Sequence, residues 1–231
     1  MAGRTLLRLR FGRFLWIASI AGAAALIVSL AMGARRPPVI HAQAGERAKQ
    51  LAAGKILVAR RSLLDPNFSK TVILLVQHDD EGTLGLVINR QTKVPLSRLS
   101  EELAGAKDRT DLLYLGGPVE TTGIMALVRT KTKPEDAKRV LTDVFVISTK
   151  STLEKTIAAA TAPNTFRLYL GYAGWDAEQL EWELGLDAWD VLPADAGIAF
   201  DPHPETLWLR LAEQEGLQIA KVGLGVPGLS N

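Results

Sequence analysis

Short apolar runs of strand length, separated by polar turns, occupy most of residues 54–231, and one much longer apolar run precedes them. Lys55–Ala59 is a β-rich run opening after Gly54. Thr71–Val76 is apolar at every position after Thr71, the pattern of a strand covered on both faces. The polar link His78-Asp79-Asp80-Glu81-Gly82 leads into Leu84–Asn89, so this pair is predicted to form an antiparallel hairpin. Pro95–Leu103 places leucines at i, i+3 and i+7 after a proline, which predicts an amphipathic helix. Further strands are expected at Leu112–Leu115, Ile124–Arg129, Val144–Ser148 and Arg167–Leu170. Further helices are expected at Thr152–Ala160, Ala177–Leu184 and Pro204–Glu215, the last with Leu207, Trp208 and Leu211 inward. Strands outnumber helices and sequence neighbours can pair. The fold class is therefore α+β around a mixed, largely antiparallel sheet.

The long run is of another kind. Phe14 to Ala34 contains no charged residue, and as a helix at about 1.5 Å per residue it spans roughly 31 Å, the thickness of a bilayer core. Arg4, Arg8, Arg10 and Arg13 precede it, and Trp16 stands where an interfacial aromatic belongs. The positive-inside rule keeps such an N-terminus cytoplasmic and sends the rest outward. Arg35 and Arg36 beyond the run argue for the opposite orientation. His41-Ala42-Gln43-Ala44 ends in an A-x-A cleavage pattern, so a removed signal competes with an uncleaved anchor. A start at Met32 would instead leave a cytoplasmic chain. These features divide the chain into an anchor or signal at 1–34, a linker at 35–53 and one domain at 54–231. The expected location is the inner membrane with the domain facing the periplasm, or export.

Charge changes meaning once the leader is set apart. The whole chain has 27 basic and 25 acidic residues, a net of +2. Six of those arginines lie in residues 1–44, which hold no acid, so residues 45–231 carry 21 basic against 25 acidic groups and a net of −4. A mildly acidic domain has no summed field that favours polyanions, and nucleic acid is not an expected partner. Zero cysteines exclude thiolate metal sites, Fe–S clusters and cysteine nucleophiles. His41, His78 and His203 are the three histidines, and His41 lies in the linker, so no metal site or cofactor is called for. No P-loop, dinucleotide fingerprint, nucleophile elbow or helix-turn-helix signature is present.

Several clusters remain as candidates for binding. Asp65-Pro66-Asn67-Phe68 suits a type I turn, either a plain turn with Phe68, Leu63 and Leu64 tucked into the core or, over Asp65–Phe68, part of a recognition surface. His78 beside Asp79, Asp80 and Glu81 reads as a solvated hairpin tip or as an acid–base group. Asn89-Arg90 ends a strand, where a guanidinium can grip an anion or simply face water. Gly116-Gly117-Pro118 permits close approach of another chain, or a plain bend. Tyr169-Leu170-Gly171-Tyr172-Ala173-Gly174-Trp175, followed by Gln179 and Glu181, combines aromatics with glycines, as a groove lining or as a plug at a sheet end. An enzyme reading would use His78 as base, oriented by Asp79 or Asp65, with Arg90 clamping an anion; a non-enzymatic reading makes these groups a surface for a protein or small molecule.

SLLDPNFSKTVILLVQHDDEGTLGLVINR, YLGGPV, YAGWDAEQLEWEL and AWDVLPAD, in that order, resemble the YqgE/AlgH family of bacterial proteins across roughly residues 54–215. The resemblance implies one domain whose mixed sheet folds as a pseudo-barrel with helices outside it. It implies no established activity, although one branch carries the name of a transcriptional regulator of alginate synthesis. The family-motif positions in this chain are Asp65, Pro66, Asn67, Phe68, His78, Gly82, Gly85, Asn89, Arg90, Gly116, Gly117, Pro118, Gly174, Trp175, Gln179 and Glu181. Where the family usually has glycine before Gln-Leu-Glu, this chain has Glu178.

Overall fold

The sheet is built by neighbours in sequence and then closed over by one strand that arrives late. The computed structural model describes residues 45–159, 162 and 164–223. The run 14–34 therefore lies outside the described residues, among which no helix is long and apolar enough to cross a membrane. Among the described residues ten strands form one sheet: β1 (Lys55–Ala59), β2 (Val72–Asp79), β3 (Gly82–Val87), β4 (Gln91–Pro95), β5 (Leu112–Leu115), β6 (Val119–Arg129), β7 (Lys138–Arg139), β8 (Val144–Ile147), β9 (Phe166–Trp175) and β10 (Trp189–Pro193). The path runs β10-β1-β2-β3-β9-β6-β8-β7, with β4 and β5 branching from β9. All pairings are antiparallel except β5 with β9. The path is open at β10 and β7, so the sheet is a curled half-barrel. The class is α+β, as expected.

The β2–β3 hairpin forms as predicted, with Asp79 opposite Gly82. Its apolar run is buried from Val72 to Val76, because side chains on both faces are covered. The helix expected over Pro95–Leu103 is a single 3-10 turn, Leu96–Leu99, continued by loose turns. Leu96, Leu99 and Leu103 are nonetheless all buried, so the apolar spacing marked the inward positions while the backbone took a tighter path. Four helices follow: α1 (Lys150–Ala158), α2 (Gln179–Gly185), α3 (Ala196–Ala199) and α4 (Pro204–Gly223). Asp195 caps α3 by accepting a bond from the Ile198 amide at 2.8 Å. Strands β4, β7 and β10 had no clear signal in the pattern, since β4 and β7 are mostly exposed edge pieces.

Three apolar clusters hold the layers together. One packs β1, β2, β5, β6 and β9 against α3 and α4. A second packs β5, β6, β8 and β9 against the 3-10 turn and α1. The third packs the other face of β1, β2, β3 and β10 under α2 and the loop around Leu63 and Phe68. Arg167 on β9 is buried, and among the described residues no carboxylate is in contact with it. It donates to the Ala199 carbonyl at 3.3 Å and to the Asp201 carbonyl, and stacks 4.8 Å over the Tyr114 ring. That arrangement ties the α3–α4 corner to the sheet.

Candidate functional site

The Asp65–Phe68 turn is shaped by its own side chains and then pinned from outside. Asp65 Oδ1 accepts from the Asn67 amide at 2.7 Å, and the Asp65 carbonyl accepts from Phe68 and Ser69. Asn89, just past β3, accepts from the buried Val72 amide at 2.8 Å and donates to the Lys70 carbonyl at 2.9 Å. Arg90 reaches the carbonyls of Pro66 and Ser69 at 3.5 and 3.4 Å. Burial lowers the Arg90 pKa, with the Asp65 charge opposing. Lys70 sits at φ +57, the left-handed bend these contacts stabilise. Leu63 and Phe68 pack inward, whereas Leu64 is 85% exposed, against the expectation that it joins the core.

Phe68 leads to the aromatic cluster. It stacks on Trp175 with ring centroids 6.0 Å apart and meets Trp189 edge-on at 5.8 Å. Beneath them lies Glu183 of α2, a residue not among the candidates. Its Oε2 accepts from Trp175 Nε1 at 3.1 Å and from Trp189 Nε1 at 2.8 Å, and its Oε1 accepts from Gln179 Nε2 at 3.2 Å. Gln179 in turn accepts from the Asp176 amide at 3.1 Å. An acid spaced with Leu180 and Leu184 on the inward face of a helix was the sequence signal for this group.

Glycines mark the place where strands cross. A Cβ on Gly116 would fall 2.2 Å from the Gly171 carbonyl oxygen, and one on Gly117 would fall 2.1 Å from the Tyr172 carbonyl carbon. Gly116 also bridges strands, donating to Leu170 and accepting from Val87. Both are thus consumed by close backbone approach rather than offered to a ligand. Gly174 lies in the β3–β9 ladder opposite Leu84.

His78 belongs to another part of the surface. Its Nδ1 is 2.8 Å from Thr83 Oγ1, and its Nε2 is 4.0 Å from Glu181 Oε1, too far for a hydrogen bond. Asp79 accepts from the Glu81 amide at 3.1 Å and simply shapes the tip. His78 lies six positions along β2 from Val72, whose amide Asn89 holds, so His78 and Arg90 are roughly 20 Å apart along extended strand. Asp65 lies at the Arg90 end. The base, orienting acid and anion clamp of the enzyme reading are not brought together.

The structure therefore joins Asp65, Pro66, Asn67, Phe68, Asn89 and Arg90 into one pinned loop and connects it through Phe68 to Trp175. Trp175 and Gln179 share Glu183, and His78 with Glu181 lies beside them. Two shallow surface depressions, of about 360 and 270 Å³, are lined by none of these residues. Among the described residues, no group of three or more His, Asp or Glu side chains is arranged to hold a metal ion.

The sequence pattern described as AlgH-like matches residues 56–220. The chain belongs to the AlgH-like family. A UPF0301 protein of Azoarcus sp. is 35% identical over 170 residues, covering 72% of this chain and 90% of the relative. A UPF0301 protein of Idiomarina loihiensis is 32% identical over 173 residues, covering 73% and 93%. The solution structure of the AlgH protein from Pseudomonas aeruginosa is 34% identical, with a TM-score of 0.55 over 76% of this chain and 89% of that one. A crystal structure of a Corynebacterium diphtheriae protein shares the fold, with a TM-score of 0.61 at 22% identity, covering 71% and 87%. Glu178 now has a physical reading within the AlgH-like pattern. Its φ of +64 is left-handed, the conformation that favours the glycine expected there.

Proposed function

We propose that this AlgH-like chain is a non-enzymatic binding domain, delivered by residues 14–34 to the outer side of the inner membrane as an anchored or exported protein. The observation that carries the reading is how the motif side chains spend their hydrogen bonds. Asn89 and Arg90 hold the backbone of the Asp65–Lys70 loop, Glu183 accepts three donors, and His78 is bound to Thr83, with the Glu181 carboxylate 4.0 Å away, beyond hydrogen-bond distance. Such groups shape a surface; a general base needs an oriented partner and access to substrate. The net charge of −4 over residues 45–231 disfavours nucleic acid as the partner.

Two measurements test this. The full chain carrying a C-terminal tag, cross-linked in its native host and purified in mild detergent, is expected to retain a partner in stoichiometric amount. Turnover of a substrate that disappears with His78→Ala overturns the non-enzymatic reading. For delivery, a reporter active only outside the cytoplasm is fused after Asn231 and the mature N-terminus is sequenced. A cytosolic product beginning at Met32 overturns it.

A further inference from the structure

One surface of the domain combines charge and an exposed aromatic in a way the motif residues do not explain, and its interpretation rests on the binding-domain reading above. The sequence has no lysine or arginine between Lys70 and Arg90, and none between Arg167 and Arg210. These two stretches fold against each other. Thr83 pairs with Trp175, a Cβ on Gly82 would lie 2.5 Å from the Trp175 carbonyl oxygen, and Glu181 lies 4.0 Å from His78. The β2–β3 tip (Asp79, Asp80, Glu81) and the β9–α2 segment (Asp176, Glu178, Glu181) therefore share one end of the half-barrel.

Several acids elsewhere find cations. Glu135 pairs with Lys155, Asp143 with Arg129, Asp190 with Arg60 and Asp201 with Arg210. Among the described residues no lysine or arginine pairs with any of these six carboxylates. Trp182 stands on the exposed face of α2, next to Glu181 and one turn from Glu178. It is 49% exposed, and its indole makes no ring contact or hydrogen bond within the described residues. An exposed tryptophan is the side chain most enriched where a few residues dominate an interface.

Charge complementarity selects the occupant. Anionic lipid and nucleic acid are repelled by this end, and the acids are not grouped to hold a metal ion. A guanidinium satisfies both features at once, stacking on an indole while its N–H groups pair with carboxylates, which a lysine ammonium does less well. We propose that the exposed face of α2 and the β2–β3 tip form a docking surface for an arginine-bearing segment of a partner protein. One arginine stacks on Trp182, and flanking basic groups pair with Glu178 and the Asp79–Glu81 tip.

The test uses the purified full chain in a non-ionic detergent, at physiological salt so that loose surface attraction is screened. Dye-labelled hexa-arginine and hexa-lysine peptides are titrated by fluorescence anisotropy. The arginine peptide is expected to bind several-fold tighter than the lysine peptide. Trp182→Ala is expected to weaken the arginine peptide roughly tenfold and to abolish the preference between the two. Asp80→Asn combined with Glu178→Gln weakens both peptides alike. Asp108→Asn, at an exposed acid far along the chain, leaves both unchanged, and urea midpoints confirm that each variant folds. Equal binding by wild type and Trp182→Ala overturns the proposal, as does no binding, or an effect of Asp108→Asn as large as that of the tip and α2 variants. If the cross-linked partner still binds the Trp182→Ala chain, this surface falls and the binding-domain reading stands. A wild-type chain that retains no partner fails that earlier reading instead.

Discussion

Replacing Glu183 tests whether the motif region is held together from below by one carboxylate. Glu183 is 9% exposed, and its two indole donors belong to Trp175 at 4% and Trp189 at 0%. Glu183→Leu keeps the side-chain bulk but leaves both indole N–H groups buried without acceptors. Each orphaned donor costs about 1–3 kcal/mol, so a loss of about 3–5 kcal/mol is expected. Glu183→Gln is milder. Its amide oxygen still accepts both indoles, but its NH₂ then faces the Gln179 NH₂, and one bond is lost for about 1–2 kcal/mol. In urea melts followed by indole fluorescence, with a slope of about 2 kcal/mol/M, the midpoints should fall by roughly 2 M and roughly 0.5–1 M. Trp189→Phe should cost less in the Glu183→Leu background than alone, with a coupling of about 1 kcal/mol or more. A Glu183→Leu midpoint within about 0.3 M of wild type refutes the account, because a buried donor pair cannot lose its acceptor that cheaply.

Asn89→Ala removes the acceptor of the fully buried Val72 amide and the donor to Lys70, and is expected to cost about 2–3 kcal/mol by urea melt. Glu178→Gly relieves a left-handed residue and should raise stability by about 0.5–1 kcal/mol in the same assay, while Glu178→Ala should not. Burial opposes ionisation of Asp201, but its bonds to Arg210 and the His203 amide outweigh this and hold its carboxyl below the usual range. The stability it contributes is therefore present above an unfolded carboxyl value of about 4 and lost as pH falls through the lower folded value. Midpoints of wild type and Asp201→Asn are expected to differ at pH 7 and converge toward pH 3; a constant gap would refute that assignment.

Much of the strand inventory was legible because burial on two faces or one leaves a period in the sequence. Val72–Val76 and the hairpin return at Gly82 are cases in which local pattern and turn chemistry agree. The helix expected over Pro95–Leu103 shows the limit. Its leucine spacing reported which side chains go inward, and a 3-10 turn with following bends buries the same three leucines. The motif residues were visible as residues, but their roles were not. Asn89 and Arg90 read as a possible anion grip, yet their partners are carbonyls and an amide some twenty residues earlier. His78 and Arg90 belong to one motif run and end at opposite ends of a strand.

The residues alone determined the α+β class, the acidic balance of the domain, the absence of thiol chemistry and the turn at Asp65, since each follows from composition or from contacts a few positions apart. Only the tertiary structure decided that β9 lies between β3 and β6, that Gly116 and Gly117 serve a backbone crossing, and that Glu183 anchors three donors. It also brought two separate lysine- and arginine-free stretches together around Trp182. The reason is that pairing between distant strands depends on the packing of the whole core, and no local periodicity encodes which strand a late-arriving segment will join.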